Sequence, residues 1–129
     1  MPKMNELTVL IENKPGTLLA LGEALGRAKV NILAFVADEV EGQSRVRLVT
    51  DNPAKAKKAL QAMTLPVSEE DVLIVVLKNK PGTLASVAGK LGSAGINVNR
   101  AYCGAEAGSK KQLVVFSVSD LKQAAKAFK

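Results

Sequence analysis

The feature that most constrains this chain is that it carries one stretch of its sequence twice. Asn13-Lys14-Pro15-Gly16-Thr17-Leu18 returns 66 residues later as Asn79-Lys80-Pro81-Gly82-Thr83-Leu84. Leu25, Gly26, Ala28 and Asn31 return at the same offset as Leu91, Gly92, Ala94 and Asn97. Ten of the twenty positions from Asn13 to Ile32 are identical, where unrelated segments of ordinary composition share about one. A duplication means one small supersecondary plan used twice, so the fold is read per copy. Divided in two, the chain of 129 residues gives modules of roughly 65 residues, near the lower limit for an independent core. Each module is therefore expected to share surface with the other or with a second copy of the chain.

Both copies read alike. Leu7 to Ile11 and Val72 to Leu77 are apolar, β-branched runs of strand length. Lys-Pro-Gly then stops the strand, and proline is expected in the first turn of a helix, where its missing N–H costs nothing. Leu18, Leu21, Leu25 and Ala28, then Leu84, Val87, Leu91 and Ala94, recur with helical spacing and predict one apolar stripe per helix. Gly95 is placed to end the second of these helices, with Lys29 at the matching position of the first. Hairpins follow: Val30 to Val40 with Arg45 to Thr50 around Glu41-Gly42, and Ile96 to Ala105 with Gln112 to Ser119 around Ala107-Gly108. Each closes on an aspartate, Asp51 or Asp120, expected to cap another helix. Those helices present Ala56, Ala59, Leu60 and Met63, and Leu121, Ala124, Ala125 and Phe128.

The order β-α-β-β-α, repeated, predicts an α+β protein. It has two tandem ferredoxin-like βαββαβ modules, each an antiparallel sheet with its helices on one face. The modules are expected at residues 1–70 and 71–129. Leu65 to Glu70 offers a fourth strand to the first module, whereas the second has no candidate before Lys129. An uncovered edge invites pairing, so that edge is expected to be met by the first module or by another subunit.

Composition excludes several functions. Histidine is absent, removing the commonest general base and metal ligand. Carboxylates cluster only at Asp38-Glu39-Glu41 and Glu69-Glu70-Asp71, which read as solvated surface. Cys103, the single cysteine, lacks a histidine partner and reads as a small buried hydrophobe in a reducing compartment. No glycine pattern matches a phosphate-binding loop or a dinucleotide fingerprint. No catalytic residue, metal site or cofactor is expected, and the protein is not expected to be an enzyme. No apolar run approaches a membrane span, and the first ten residues lack a signal-peptide core; a cytoplasmic location without membrane contact is expected. The eighteen Lys and Arg residues give a net charge of +6 but are scattered, Lys55, Lys57 and Lys58 being their longest cluster. With only Tyr102 and Phe116 near the sheet, the stacking platform of an RNA-binding βαββαβ module is missing, so nucleic acid is set aside.

What remains is the repeated loop. A helix start leaves backbone N–H groups unpaired at the positive end of the helix dipole, a ready place for a carboxylate. Gly16 and Gly82 allow close approach to the backbone. Asn13 and Asn79 precede the turn, and Asn31 and Asn97 open the next strand. Amides both donate and accept, and so suit the ammonium and carboxylate of a free amino acid. The plainer alternative is that these residues cap helices and fill turns.

Asn-Lys-Pro-Gly-Thr-Leu after a strand, then Gly-Ile-Asn-Val after the helix, resembles the ACT domain. That family holds small ligand-binding modules of amino-acid metabolism, including the regulatory ends of phosphoglycerate dehydrogenase and the small subunit of acetolactate synthase. The resemblance covers nearly the whole chain, which looks like the stand-alone tandem ACT proteins. In serine-binding members the ligand lies between paired modules, on the asparagine before Pro-Gly, the glycine region and the asparagine opening the second strand. The resemblance therefore implies ligand-binding sets of Asn13, Pro15, Gly16, Thr17, Leu18, Asn31 and Ile32, and of Asn79, Pro81, Gly82, Thr83, Leu84, Asn97 and Val98. A histidine found two residues before the first asparagine in those members is Ile11 here in one copy and Leu77 in the other, a departure that weighs against serine. Leu33, Phe35 and Ala37 also correspond to Asn99, Ala101 and Cys103, so the two sites are expected to differ. The function implied is regulatory, with a free amino acid as ligand and a homodimer or an enzyme of amino-acid metabolism as partner. The alternative is a regulatory subunit or interaction module whose pockets are degenerate.

Overall fold

The structure, a computed structural model, describes residues 3–128. Its elements run β1 (Lys3–Glu12), α1 (Thr17–Arg27), β2 (Ile32–Val40), β3 (Gln43–Thr50), α2 (Pro53–Ala62), β4 (Val67–Lys78), α3 (Thr83–Ser93), β5 (Val98–Gly104), β6 (Lys111–Val118) and α4 (Leu121–Ala127). This is the α+β, ferredoxin-like plan taken twice.

Two compact units result. One is Asn5–Glu70; the other takes in Lys3, Met4 and residues 71–128 of those described. The division falls inside β4, a single twelve-residue strand. In the first unit the strand order is β2-β3-β1, with the start of β4 beyond β1. β1 and β2 both pair antiparallel with β3. In the second unit β6 pairs antiparallel with both β4 and β5. Among the described residues no strand follows α4. Lys3 and Met4 of β1 belong to this unit, where the Lys3 ammonium lies 3.6 Å from the Asp71 carboxylate.

Each unit buries one layer of apolar side chains between its sheet and its two helices. In the first these are Leu7, Val9 and Ile11 of β1, Val46 and Leu48 of β3, Leu21 and Leu25 of α1, and Ala56 and Leu60 of α2. In the second, Leu73, Val75 and Leu77 meet Val114, Phe116, Val87, Leu91 and Ala124. The alternation along β1 and β4 puts every second side chain into the core. Each Leu or Phe withdrawn from water this way contributes about 1.5–3 kcal/mol.

Several local expectations are corrected. Pro15 and Pro81 are not in a helical first turn. The N-caps are Gly16 and Gly82, both left-handed at φ 91°, and each proline belongs to the turn ahead of its cap. Leu18 and Leu84 do not join the buried stripe; they are 47% and 58% exposed, and the core faces begin at Leu21 and Val87. Asp51 does not cap α2: Asn52 does, accepting from the Lys55 N–H at 3.1 Å. Asp120 does cap α4, accepting from the Gln123 N–H at 3.0 Å. Cys103 is exposed rather than buried, because β5 carries its side chains at the end of the strand order. Lys29 and Gly95 both adopt the left-handed conformation, φ 59° and 73°, so the helix exit is the same in each copy even where glycine is missing.

Candidate functional site

The two repeated loops have closely similar backbones. After the strand, Lys-Pro-Gly turns the chain, the left-handed glycine reverses it, and the helix starts at threonine. The Thr17 hydroxyl donates to the Glu12 carbonyl at 2.6 Å, with the Lys14 carbonyl at 3.0 Å, and Thr83 donates to the Lys80 carbonyl at 3.0 Å. These threonines therefore lock the turn. No side chain caps α1 or α3, whereas α2 and α4 are capped by Asn52 and Asp120. The Thr17 and Thr83 N–H groups turn back to the Lys14 and Lys80 carbonyls at 3.4 Å, so it is the next N–H groups of the first turns of α1 and α3 that are left to a ligand or to water. No acidic residue occupies either first turn, so the positive dipole end is uncompensated there.

The asparagines divide by role. Asn79 is held to the β5–β6 connection: its N–H donates to the Lys110 carbonyl at 2.9 Å and its amide nitrogen to the Ser109 carbonyl at 2.8 Å. Asn13 has no such side-chain bond among the described residues. At the other asparagines the backbone is paired reciprocally. Asn31 N–H donates to the Asp51 carboxylate at 2.9 Å, and Asp51 N–H returns to the Asn31 carbonyl at 3.0 Å. In the second copy Ser119 takes the place of Asp51, with both bonds at 2.9 Å, and the Asn97 amide donates to the Asn99 side chain at 2.9 Å.

Register shows which expected residues come together. Glu12 lies opposite Gln43, whereas Ile32 lies opposite Thr50, seven residues further along β3. Lys78 lies opposite Lys111, and Val98 opposite Val118, again seven residues apart on β6. At about 3.4 Å per residue the separation is roughly 24 Å. Asn13, Pro15, Gly16, Thr17 and Leu18 therefore sit at one end of their unit, and Asn31 and Ile32 at the other. Asn79, Pro81, Gly82, Thr83 and Leu84 are likewise remote from Asn97 and Val98. Each module holds two half-sets, not one assembled site.

Sequence reading also missed the charge around the second loop. Lysines scattered along the chain converge there: Lys78 faces Lys111 across the strands, Lys110 receives the Asn79 N–H, and Lys80 lies in the turn. A cavity of about 320 Å3 beside it is lined by Thr83, Ser86, Lys78, Lys90, Val87 and Phe128. The repeat places Glu12 and Ala24 where this copy has Lys78 and Lys90, and Glu12 is paired with Lys14 at 3.0 Å. The second loop is the more receptive to an anion. Among the described residues no group of histidine, cysteine or carboxylate side chains could hold a metal, and no helix is long and apolar enough to cross a membrane.

A family model described as an ACT domain pair matches residues 3–127. The chain belongs to the ACT domain pair family. Solved structures agree with this. Protein BT0572 from Bacteroides thetaiotaomicron is 28% identical, with a TM-score of 0.89 over 97% of this chain and 85% of that one. The ligand-free regulatory subunit of aspartate kinase from Thermus thermophilus is 14% identical, with a TM-score of 0.65 over 100% and 99% of the two chains. The corresponding subunit from Thermus flavus is 15% identical, with a TM-score of 0.66 over 99% and 95%. At that identity the aspartate kinase subunits share the fold of this ACT pair. No curated protein matches the sequence. Membership supports a regulatory, small-molecule-binding role for the chain.

Proposed function

We propose that this ACT pair binds a free amino acid at its Asn-Pro-Gly loops and uses the bound state to bias an assembly or a partner enzyme. The observation that carries this is the contrast between helices: α1 and α3, which follow the repeated loops, begin uncapped behind left-handed glycines, while α2 and α4 are capped by their own side chains. Backbone N–H groups at such a start suit an α-carboxylate, and the lysines around Asn79 reinforce this in the second copy. Because each loop lies roughly 24 Å from the Asn31 or Asn97 of its own module, a ligand touching both kinds of asparagine must span two modules. A second copy of the chain supplies the other half. Each asparagine bond to a charged ligand group is worth on the order of 1.5–3 kcal/mol.

The test is a thermal-shift panel of the twenty amino acids, followed by calorimetry on the ones that raise the melting temperature. Asn13→Ala and Asn79→Ala together should weaken binding about tenfold or more. Unchanged affinity in a folded variant removes these loops from the site.

A second reading has its own support. Asn79 and Asn97 commit amide donors to Ser109 and Asn99, the arrangement of a pocket that has become purely structural. On that reading the chain is an interaction module for an enzyme of amino-acid metabolism. It prevails if no amino acid shifts the melting temperature while one enzyme co-purifies reproducibly.

A further inference from the structure

We infer a second small-molecule site on the sheet of the Asn5–Glu70 unit, built to take an aliphatic α-amino acid. A cavity of about 370 Å3 opens there between β1, the β2–β3 hairpin and the start of β4, lined by Leu10, Val40, Pro66, Val67, Thr8 and Arg45 among others. Its volume is in the range of small-ligand sites, ~300–1,000 Å3, and its walls are mostly apolar with one convergent charged group, the usual make-up of such sites. None of the loop residues from Asn13 to Leu18 lines it, so it stands independently of the loop proposal.

The charged group is the guanidinium of Arg45, 3.2 Å from the Asp38 carboxylate. Arg45 lies opposite Leu10 on one side and Asp38 on the other. Cross-strand partners share a face of the sheet, so the ion pair stands on the same face as Leu10. One of the five donors of Arg45 is spent on Asp38, and its Nε finds no partner among the described residues. The pair is partly open to water, the two side chains being 31% and 52% exposed, and such pairs add little to stability.

The repeat supplies an internal comparison. In the second unit the residue opposite Val76 is Leu113, and the residue opposite Leu113 on the other side is Gly104. Leu113 and Gly104 thus hold the register positions of Arg45 and Asp38. The module forms its hairpin without the ion pair, so the pair is not a requirement of the fold. Arg45 lines the cavity and Asp38 stands next to it on the neighbouring strand, outside the lining; a ligand on Arg45 that reaches Asp38 as well is a zwitterion carrying an apolar side chain. The ligand carboxylate meets the unused donors of Arg45, its ammonium meets Asp38, and its side chain lies on Leu10, Val40 and Pro66. A lone anion is repelled by Asp38 and a lone cation by Arg45, which selects for both charges on one small molecule.

Calorimetry on the full chain with L-leucine tests this, using N-acetyl-L-leucine and L-leucinamide as probes lacking one charge each. L-Leucine should bind the wild type, and each blocked derivative should bind about tenfold more weakly. Arg45→Leu, which copies the second unit, and the near-isosteric Asp38→Asn should each weaken L-leucine about tenfold. Lys29→Gly, outside both the pocket and the loops, should leave that affinity unchanged, and the loop variant Asn13→Ala with Asn79→Ala reports whether L-leucine occupies the loops instead. Thermal melts of the variants separate loss of binding from loss of folding, and Asp38→Asn serves if Arg45→Leu is unstable. The inference is overturned if wild type does not bind L-leucine, if both pocket variants bind it as tightly as wild type, or if only the loop variant loses it.

Discussion

If the ligand at the Asn-Pro-Gly loops is held between two copies of the chain, broken sites should be repaired by mixing. Consider one variant with both loop asparagines removed, Asn13→Ala and Asn79→Ala, and another with both strand asparagines removed, Asn31→Ala and Asn97→Ala. Each alone loses one class of contact at every site, and at about 1.5–3 kcal/mol per charged hydrogen bond its affinity should fall roughly tenfold to a hundredfold. In a two-fold dimer each site takes a loop from one chain and a strand asparagine from its partner. A mixed dimer therefore has one site with both defects and one with none. Random reassortment makes half the dimers mixed, so about a quarter of all sites should regain full affinity. The assay is calorimetric stoichiometry on the two variants unfolded and refolded together, with native mass spectrometry to count mixed dimers. The roughly 24 Å between the half-sets within a module is what makes this outcome specific. If mixed dimers form and no tight sites return, the contacts lie within one chain and the two-copy reasoning is wrong.

Four substitutions test the local geometry. Lys29→Gly should stabilise by about 1 kcal/mol, because Lys29 occupies the left-handed region at φ 59° where its repeat has Gly95; a urea titration should show a higher midpoint at unchanged slope. Asn52→Ala should cost about 1 kcal/mol as a lost N-cap. Asp51→Ala should cost a similar ~1 kcal/mol by releasing the Asn31 N–H instead, and proton exchange at Asn31 should accelerate in the second variant only. Phe116→Ala, at a residue only 2% exposed in the second core, should lose about 3–5 kcal/mol, enough to be visible as a large drop in thermal midpoint.

Much of this fold was legible because its signals are periodic. Leu7, Val9 and Ile11 alternate, as do Leu73, Val75 and Leu77, and both sets line the cores. The repeat made each copy a check on the other. It also misled, since one offset does not serve the whole length. Asn13 and Asn79 are 66 apart, but beyond the longer second hairpin the matching positions are Asn52 and Asp120, which are both caps. Aligning Asp51 with Asp120 slipped that register and assigned Asp51 the wrong task. Leu18 and Leu84 extended a helical spacing that burial does not honour, because each lies in the first turn of its helix, ahead of the core contacts at Leu21 and Val87. Glu6 was invisible for a different reason. It is fully buried, yet in an alternating strand its spacing looks no different from that of Thr8.

The separation of the asparagines has a purely topological cause. β1 and β2 are both antiparallel to β3 and so run in the same direction. A crossover helix must then carry the chain back along the sheet before β2 can begin. Whatever opens β2 is therefore a strand-length away from whatever closes β1, however close the two lie in sequence. The same holds for β4, α3 and β5. A motif split across such a crossover cannot converge within its module, so its two halves act together only when a second module meets the first. If a free amino acid binds there as proposed, ligand binding and association of modules become one equilibrium, in which the bound ligand draws the modules together and their separation releases it.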